Sequence, residues 1–247
     1  MRRLKDRIRR GLDGLMPAAE IREVARALCA ALPGISDTDY YLEPLLPPDD
    51  VRDSLLDGWI GRIAAGEPLQ YVTGYTYFFG YRINCDRRAL IPRPETTELV
   101  EWILQEAQPR GSLLDIGTGT GCIAISLASR LRSWRVSAWD ISADALALAS
   151  ENSRLNDAGV EFARRDILGD CDDSGTYNII VSNPPYVTMA ERADMERNVL
   201  DFEPGLALFV PDGDPLLFYR NIADFAVTFR DDIQGHRRMA KAYTNDE

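Results

Sequence analysis

Apolar residues recur at helical spacing through the first seventy positions. Leu4, Ile8, Leu12 and Leu15 mark one amphipathic helix, and Ile21, Val24, Ala25, Leu28 and Leu32 a second that ends at Pro33-Gly34. A third is expected after Pro47-Pro48, with Asp49 or Asp50 as N-cap, Val51, Leu55, Trp59 and Ile63 on one face, and a stop at Gly66-Glu67-Pro68. From Tyr71 the period changes. Residues 75–84 (YTYFFGYRIN) are aromatic and β-prone around Gly80, which predicts a short hairpin. In LIPRPETTELVEWIL two prolines hold the chain extended before a helix begins near Glu95, with Leu99, Val100 and Ile103 as its buried face.

Strands and helices then alternate. SLLDIG (112–117), RVSAWD (135–140), VEFARRD (160–166) and YNIIVSN (177–183) read as strands. CIAISLASRL (122–131) and ADALALASENSRLN, capped by Ser142, read as the helices between the first three. This alternation with short connections predicts an α/β fold: a mostly parallel sheet with helices on both faces, preceded by a small helical domain. Near the C-terminus DPLLFYRNIADFA (214–226) reads as a helix. VTFRDD (227–232) reads as a strand that begins at once, and IQGHRRMAKAY as a turn and a further strand.

Composition narrows the chemistry. Of 247 residues, 45% are hydrophobic and 27% charged, which excludes wholesale disorder. With 28 Lys and Arg against 39 Asp and Glu the net charge is −11, a poor balance for binding bulk nucleic acid. Cys29, Cys85, Cys122 and Cys171 are far apart with no C-x-x-C, so reduced packing residues are expected rather than a zinc or redox site. With a single histidine, His236, a His-based triad or di-His metal site is hard to build, and no metal is expected. No apolar run reaches the ~18 residues of a membrane span, and no signal-peptide core follows the basic start. The expected compartment is the cytoplasm.

Asp115-Ile116-Gly117-Thr118-Gly119-Thr120-Gly121 leaves the first strand and enters a helix. Glycines there allow tight turning and close approach of a ligand to backbone N–H groups. A dinucleotide fingerprint needs G-x-G-x-x-G, and here the third glycine comes one residue early, with Cys122 in its place. The segment instead resembles the nucleoside loop of S-adenosylmethionine (SAM) methyltransferases. Asp140, followed by Ile141, ends the second strand, where a carboxylate can accept both hydroxyls of an adenosyl ribose. Asp166 ends the third strand, where it can accept from an adenine amine while Ile167 covers the ring.

Asn183-Pro184-Pro185-Tyr186 follows the fourth strand at the same rim. Prolines lack N–H donors, so this turn presents acceptors, and Pro184 holds Asn183 extended. The arrangement suits a planar –NH₂ group: the Asn183 side-chain oxygen takes one proton, the Pro184 carbonyl the other, and Tyr186 lies against the flat face. An amide nitrogen is a weak nucleophile because its lone pair is delocalised. Two fixed acceptors localise that pair and aim it, which is positioning with electrostatic preorganisation and requires no tuned base.

DIGTGTG, NPPY, LIPRPETTELV, GEPLQYVTG and DFEPGLAL together resemble the release factor glutamine methyltransferases, the HemK/PrmC family, over most of residues 1–225. The resemblance implies a Rossmann-like SAM-methyltransferase domain with a mostly parallel sheet and a C-terminal antiparallel hairpin. It implies methyl transfer from S-adenosyl-L-methionine to the side-chain amide of the glutamine in the Gly-Gly-Gln loop of peptide-chain release factors. By position, residues 117–121, Asp140, Ile167 and Asn183 hold SAM, residues 183–186 hold the glutamine, and Arg93, Pro94 and Glu95 lie beside the active site. Residues 1–72 become a substrate-recognition domain, 73–95 a hairpin linker and 96–247 the methyltransferase domain.

Two alternatives stay open: an amino-methyltransferase acting on a nucleic-acid base, and an inactive SAM-binding scaffold. The second arises because one βα unit, roughly 30 residues, is missing near 226/227 relative to the family. Its strand would lie beside the NPPY strand, so its loss leaves central backbone groups unpaired or draws the last hairpin inward. Either the unit is truly deleted or residues have dropped out of the sequence.

Overall fold

The computed structural model describes residues 1–169 and 176–231. The chain divides into two units: Met1–Gly74 with Arg197–Phe202, and Tyr75–Glu196 with the chain from Glu203 onward. No helix among the described residues is long and apolar enough to cross a membrane.

The first unit is helical: α1 (Arg2–Leu12), α2 (Ala18–Ala31), α3 (Asp37–Leu42), α4 (Asp50–Ala64) and α5 (Leu69–Thr73). Its core joins Leu4, Ile8 and Leu12 of α1, Ile21, Val24, Ala25 and Leu28 of α2, and Leu56, Ile60 and Ile63 of α4. The α1 and α2 stripes match the periodicity except at its last member. Helix α1 stops at Leu12, and after Gly14 turns left-handed (φ +78°) Leu15 is 58% exposed.

Helix α4 is capped by Asp49, whose side chain accepts from the Arg52 N–H, but it is rolled from the expected face. Val51 and Leu55 are exposed, and Asp53, Leu56, Ile60 and Ile63 are buried. The cause lies on α1: a Cβ at Gly11 would stand 2.4 Å from Ile60 Cγ2, so that glycine admits Ile60. Asp53 tolerates burial because Arg3 and Arg7 both pair with it. The periodicity did not predict α3, held by a capping box between Ser36 and Asp39, or α5.

The second unit opens with the hairpin β1 (Tyr75–Phe78) and β2 (Tyr81–Asn84). Phe79 and Gly80 make its two-residue turn, both at positive φ (+51° and +84°), the geometry that matches strand twist. There follow α6 (Thr96–Glu106), β3 (Gly111–Ile116), α7 (Cys122–Arg130), β4 (Trp134–Asp140), α8 (Ala143–Leu155), β5 (Val160–Arg164), β6 (Ile179–Ser182) and β7 (Val187–Thr188), then, after α9 (Arg197–Phe202), which belongs to the first unit, β8 (Phe209–Val210) and α10 (Leu217–Asp231). The sheet order is β5-β4-β3-β6 and every pairing in it is parallel. Leu114, Ile116 and Trp139 cluster with Ile222 and Phe225 of α10 on one face. By the pleat, Leu113, Val136 and Ala138 point to the other face and are buried to 1% exposure or less. This is the expected α/β architecture.

Residues 227–231, expected as most of a strand at 227–232, are helical: α10 continues to Asp231. Phe218, Ile222 and Phe225 keep helical spacing against the sheet, and no Gly or Pro interrupts the chain there. Adding residues to an existing helix is favourable, so the weak β preference of VTF does not stop it. The expected closing hairpin at IQGHRRMAKAY, with His236, lies outside the described residues, as does Cys171. Among the described residues no strand pairs with the outer edge of β6. Cys29, Cys85 and Cys122 are buried free thiols, and burial pushes the first up to about 11 and the other two to about 12.

Candidate active site

Strand register brings the two sequence motifs together. Ile116 of β3 lies level with Ser182 of β6, and the Ser182 hydroxyl donates to the Ile116 carbonyl at 2.6 Å. The next residues along are Gly117 and Asn183, so the glycine loop and the NPPY turn leave neighbouring strands at the same carboxyl rim. That rim is where open parallel sheets bind ligands.

The loop's conformation requires its glycines. Gly117, Gly119 and Gly121 have φ of +71°, +55° and +81°, the left-handed region that L side chains avoid. The Gly117 and Thr118 N–H groups both donate to the Trp139 carbonyl at 2.9 Å. Gly121 also has no room: a Cβ would stand 3.0 Å from Ile125 Cδ1 and 3.1 Å from Ala149 Cβ, whereas one on Gly117 would meet nothing within 4 Å. Gly121→Ala is therefore expected to cost about 2 kcal/mol in urea unfolding and Gly117→Ala about 1 kcal/mol. Equal losses would refute the packing argument.

Asp115 lies inside the sheet rather than at the rim. It is fully buried, and its Oδ2 accepts from the Thr118 hydroxyl at 2.7 Å. Its Oδ1 has no hydrogen-bond partner among the described residues. Burial pushes its carboxyl up to about 7, against the Thr118 hydrogen bond. Between its ordinary value near 4 and this raised value the native state binds more protons than the unfolded chain, so stability falls as pH rises. Asp115→Asn is expected to remove a slope of up to ~1.4 kcal/mol per pH unit between about pH 4 and 7 in ligand-free protein. Parallel stability–pH curves for the two proteins would refute this.

Asp140 is the last residue of β4. Its Oδ2 accepts from the Gly119 N–H and its Oδ1 from the Ser142 N–H, both at 2.9 Å. Burial raises its pKa, against those amide bonds. A carboxylate has about four acceptor positions, so each oxygen keeps capacity for one more donor. Ile141 beside it is 38% exposed. Thr118 and Thr120 are buried, which leaves them to brace the loop. Asp166 is exposed after β5 and its Oδ1 accepts from the Leu168 N–H at 2.9 Å. Ile167 packs partly into the cluster with Trp139 and α10. The open space over Gly117 and the half-engaged Asp140 carboxylate suit an adenosyl amino acid.

Asn183 is exposed and its Nδ2 donates to the Thr96 hydroxyl at 3.3 Å, which leaves its Oδ1 without a hydrogen-bond partner among the described residues. Pro184 is buried, Pro185 half-buried and Tyr186 59% exposed. The turn is tied down on its far side, where β7 pairs with β8 and the Val187 N–H donates to the Leu208 carbonyl at 3.1 Å. Arg93 donates to Glu203 Oε1 at 2.7 Å, and Glu203 Oε2 takes the Ile91 N–H at 3.2 Å. Pro94 and Glu95 are exposed, and the Pro94 carbonyl accepts from the Thr97 hydroxyl at 2.6 Å.

Residues 8–74 match the model of the PrmC N-terminal domain and residues 95–205 that of the methyltransferase small domain. A release factor glutamine methyltransferase of Bacteroides thetaiotaomicron is 46% identical over 225 residues, covering 91% of this chain and 81% of that protein. The chain belongs to the release factor glutamine methyltransferase family. Its Flavobacterium psychrophilum relative is 42% identical over 220 residues, covering 87% of this chain and 77% of that protein. Among solved structures, Pyrococcus abyssi tRNA (uracil-54, C5)-methyltransferase in complex with S-adenosyl-L-homocysteine aligns with a TM-score of 0.40 at 17% identity. That alignment covers 60% of this chain and 36% of that one.

For a release factor glutamine methyltransferase the sequence reading left three supporting residues without roles. Thr96 and Glu203 lie inside segments that carried the resemblance, yet nothing in them shows which partner each meets. Asn152 is wholly buried on α8. Its side chain accepts from the Asn84 N–H at 2.7 Å and donates to the Asn84 and Thr120 carbonyls at 3.1 and 3.0 Å. It thereby joins the hairpin to the glycine loop. A buried asparagine inside the last turn of a helix, where its propensity is poor, was the available signal.

Proposed function

We propose that this protein transfers a methyl group from S-adenosyl-L-methionine to the side-chain amide nitrogen of the glutamine in the Gly-Gly-Gln loop of peptide-chain release factors, acting in the cytoplasm. The observation that carries the reading is the shared rim of Gly117 and Asn183, set by the Ile116–Ser182 register. SAM supplies an electrophilic methyl on a sulfonium. Asp140 and Ile141 hold its adenosyl end, the loop from Gly117 to Gly121 lets it approach the backbone, and Asp166 and Ile167 border the base. Asn183 Oδ1 and the Pro184 carbonyl accept hydrogen bonds from the two amide N–H groups, and Tyr186 covers the amide face. The nitrogen takes the methyl as its bond to sulfur breaks, leaving S-adenosyl-L-homocysteine, and one amide proton passes to solvent. Arg93, Pro94 and Glu95 border the bound loop, and Arg93 does so while pinned by Glu203. The net charge of −11 suits a basic protein loop better than phosphate.

The reading includes the lost βα unit near 226/227, with residues 1–72 gripping the release factor, 73–95 linking and 96–247 carrying the chemistry. The test mixes the protein with methyl-labelled SAM and a release factor and maps the label by mass spectrometry. Label on the Gly-Gly-Gln glutamine is expected. SAM bound with no label transferred would favour the inactive scaffold, and label on a nucleic-acid base the other alternative.

A further inference from the structure

We propose that Thr96, the first residue of α6, is a positioning residue that orients the Asn183 amide so that its oxygen faces the methyl-accepting group. The inference rests on the function proposed above and extends it to a residue outside the NPPY turn. The carboxamide of Asn183 has two ends of opposite hydrogen-bonding character. With its Nδ2 donating to the Thr96 hydroxyl at 3.3 Å, Oδ1 is left without a partner among the hydrogen bonds of the described residues. A hydroxyl also donates, and the reversed amide would then occupy Oδ1 with Thr96 and present N–H groups to a substrate that itself brings N–H donors. The amide –NH₂ therefore selects the orientation seen. It completes a chain of donors from substrate nitrogen to Oδ1 and from Nδ2 to Oγ1, in which each bond polarises the next.

The hydroxyl is held where it is needed. The Thr96 N–H donates to the Arg93 carbonyl at 3.1 Å, so the first turn of α6 is tied to Arg93. Arg93 is in turn fixed by Glu203, whose side chain is 1% exposed and also takes the Ile91 N–H. A buried carboxylate thus anchors the strap from Ile91 to Thr96. Thr97, the next residue, is turned back onto the Pro94 carbonyl and is not part of the chain of donors.

Thr96→Val keeps the shape and removes the hydroxyl, and Thr96→Ser keeps the hydroxyl. Thr96→Val is expected to lower kcat about five- to tenfold, the size of one neutral hydrogen bond, with the Kd for SAM and the thermal midpoint unchanged. Thr96→Ser should restore most of the rate. In an Asn183→Ala background Thr96→Val should have no further effect. A wild-type rate in Thr96→Val, an equal loss in Thr96→Ser, or a full additional loss beside Asn183→Ala would each overturn the proposal. The side-chain amide NMR signals of Asn183 provide a readout that does not depend on turnover. One Nδ2 proton should be protected from exchange in the wild type and in Thr96→Ser and exposed in Thr96→Val. Identical exchange in all three would overturn the orientation argument even if the wild type transferred no methyl group, a result that would instead count against the proposed function.

Discussion

Asn183→Ala is expected to lower kcat for methyl transfer by about 10²- to 10³-fold, the range found when one preorganised hydrogen-bonding group is removed from a reacting centre. The same variant should bind SAM with a Kd within about twofold of the wild type. Asn183 is exposed at the rim, and its one side-chain hydrogen bond among the described residues is to the half-buried Thr96, so its removal leaves no fully buried group there unsatisfied. The strand before it and the β7–β8 pair after it hold the turn independently. A loss confined to kcat therefore reports on the acceptor role. Were kcat to stay near wild type, the methyl-accepting nitrogen would be held by something other than the Asn183 oxygen, and the amide-acceptor model would fail. Were SAM affinity to fall with it, the contact with SAM that the family resemblance implies for Asn183, rather than its hold on the glutamine, would carry its role.

The parts of the site legible in the sequence are those whose chemistry sits at a strand end. Asp140, the glycines from 117 to 121 and Asn183 follow apolar strands directly, and a parallel sheet sends all such ends to one rim. What stayed hidden depends on pairs far apart in sequence. Asn183 meets Thr96 across 87 positions and Arg93 meets Glu203 across 110. The residues at both ends were in view, but no local pattern joins them. Asp115 heads the segment that resembles the nucleoside loop, and strand alternation turns it inward beneath that loop. It meets Thr118 there.

Packing explains the errors in the fold as well. Of the expected α4 stripe Val51, Leu55, Trp59 and Ile63, Ile63 is buried and Trp59 packs partly on the core, but Val51 and Leu55 are exposed because the glycine at position 11, on another helix, admits Ile60 instead. The 227–231 stretch has β-branched and aromatic residues, and the helix already running through Ile222 and Phe225 overrides them. By contrast the hairpin around Gly80 was legible because its turn is chemically demanding. The capping role of Ser142, which accepts from the Ala145 N–H at 3.1 Å, is equally local.

Asp140→Ala should act on the other half of the reaction, raising the Kd for SAM by about 100-fold while leaving kcat at saturating SAM within about threefold. Two hydroxyl donors to a charged acceptor contribute ~1.5 kcal/mol or more each, which together give that factor. The carboxylate also accepts the Gly119 and Ser142 amides, so its loss loosens the glycine loop in the same direction. Asp140→Asn separates the two contributions. A carboxamide keeps one acceptor oxygen and turns an –NH₂ toward one of those N–H donors, so it should bind SAM as weakly as Ala does or worse. Calorimetry on the three proteins reads this directly. An unchanged Kd in Asp140→Ala would move the ribose away from β4. A Kd restored in Asp140→Asn would mean that position 140 matters for the loop's shape rather than as a doubly accepting anion. With Asn183 changing rate and Asp140 changing affinity, the two variants divide one rim into a site that holds the methyl donor and a site that aims the acceptor.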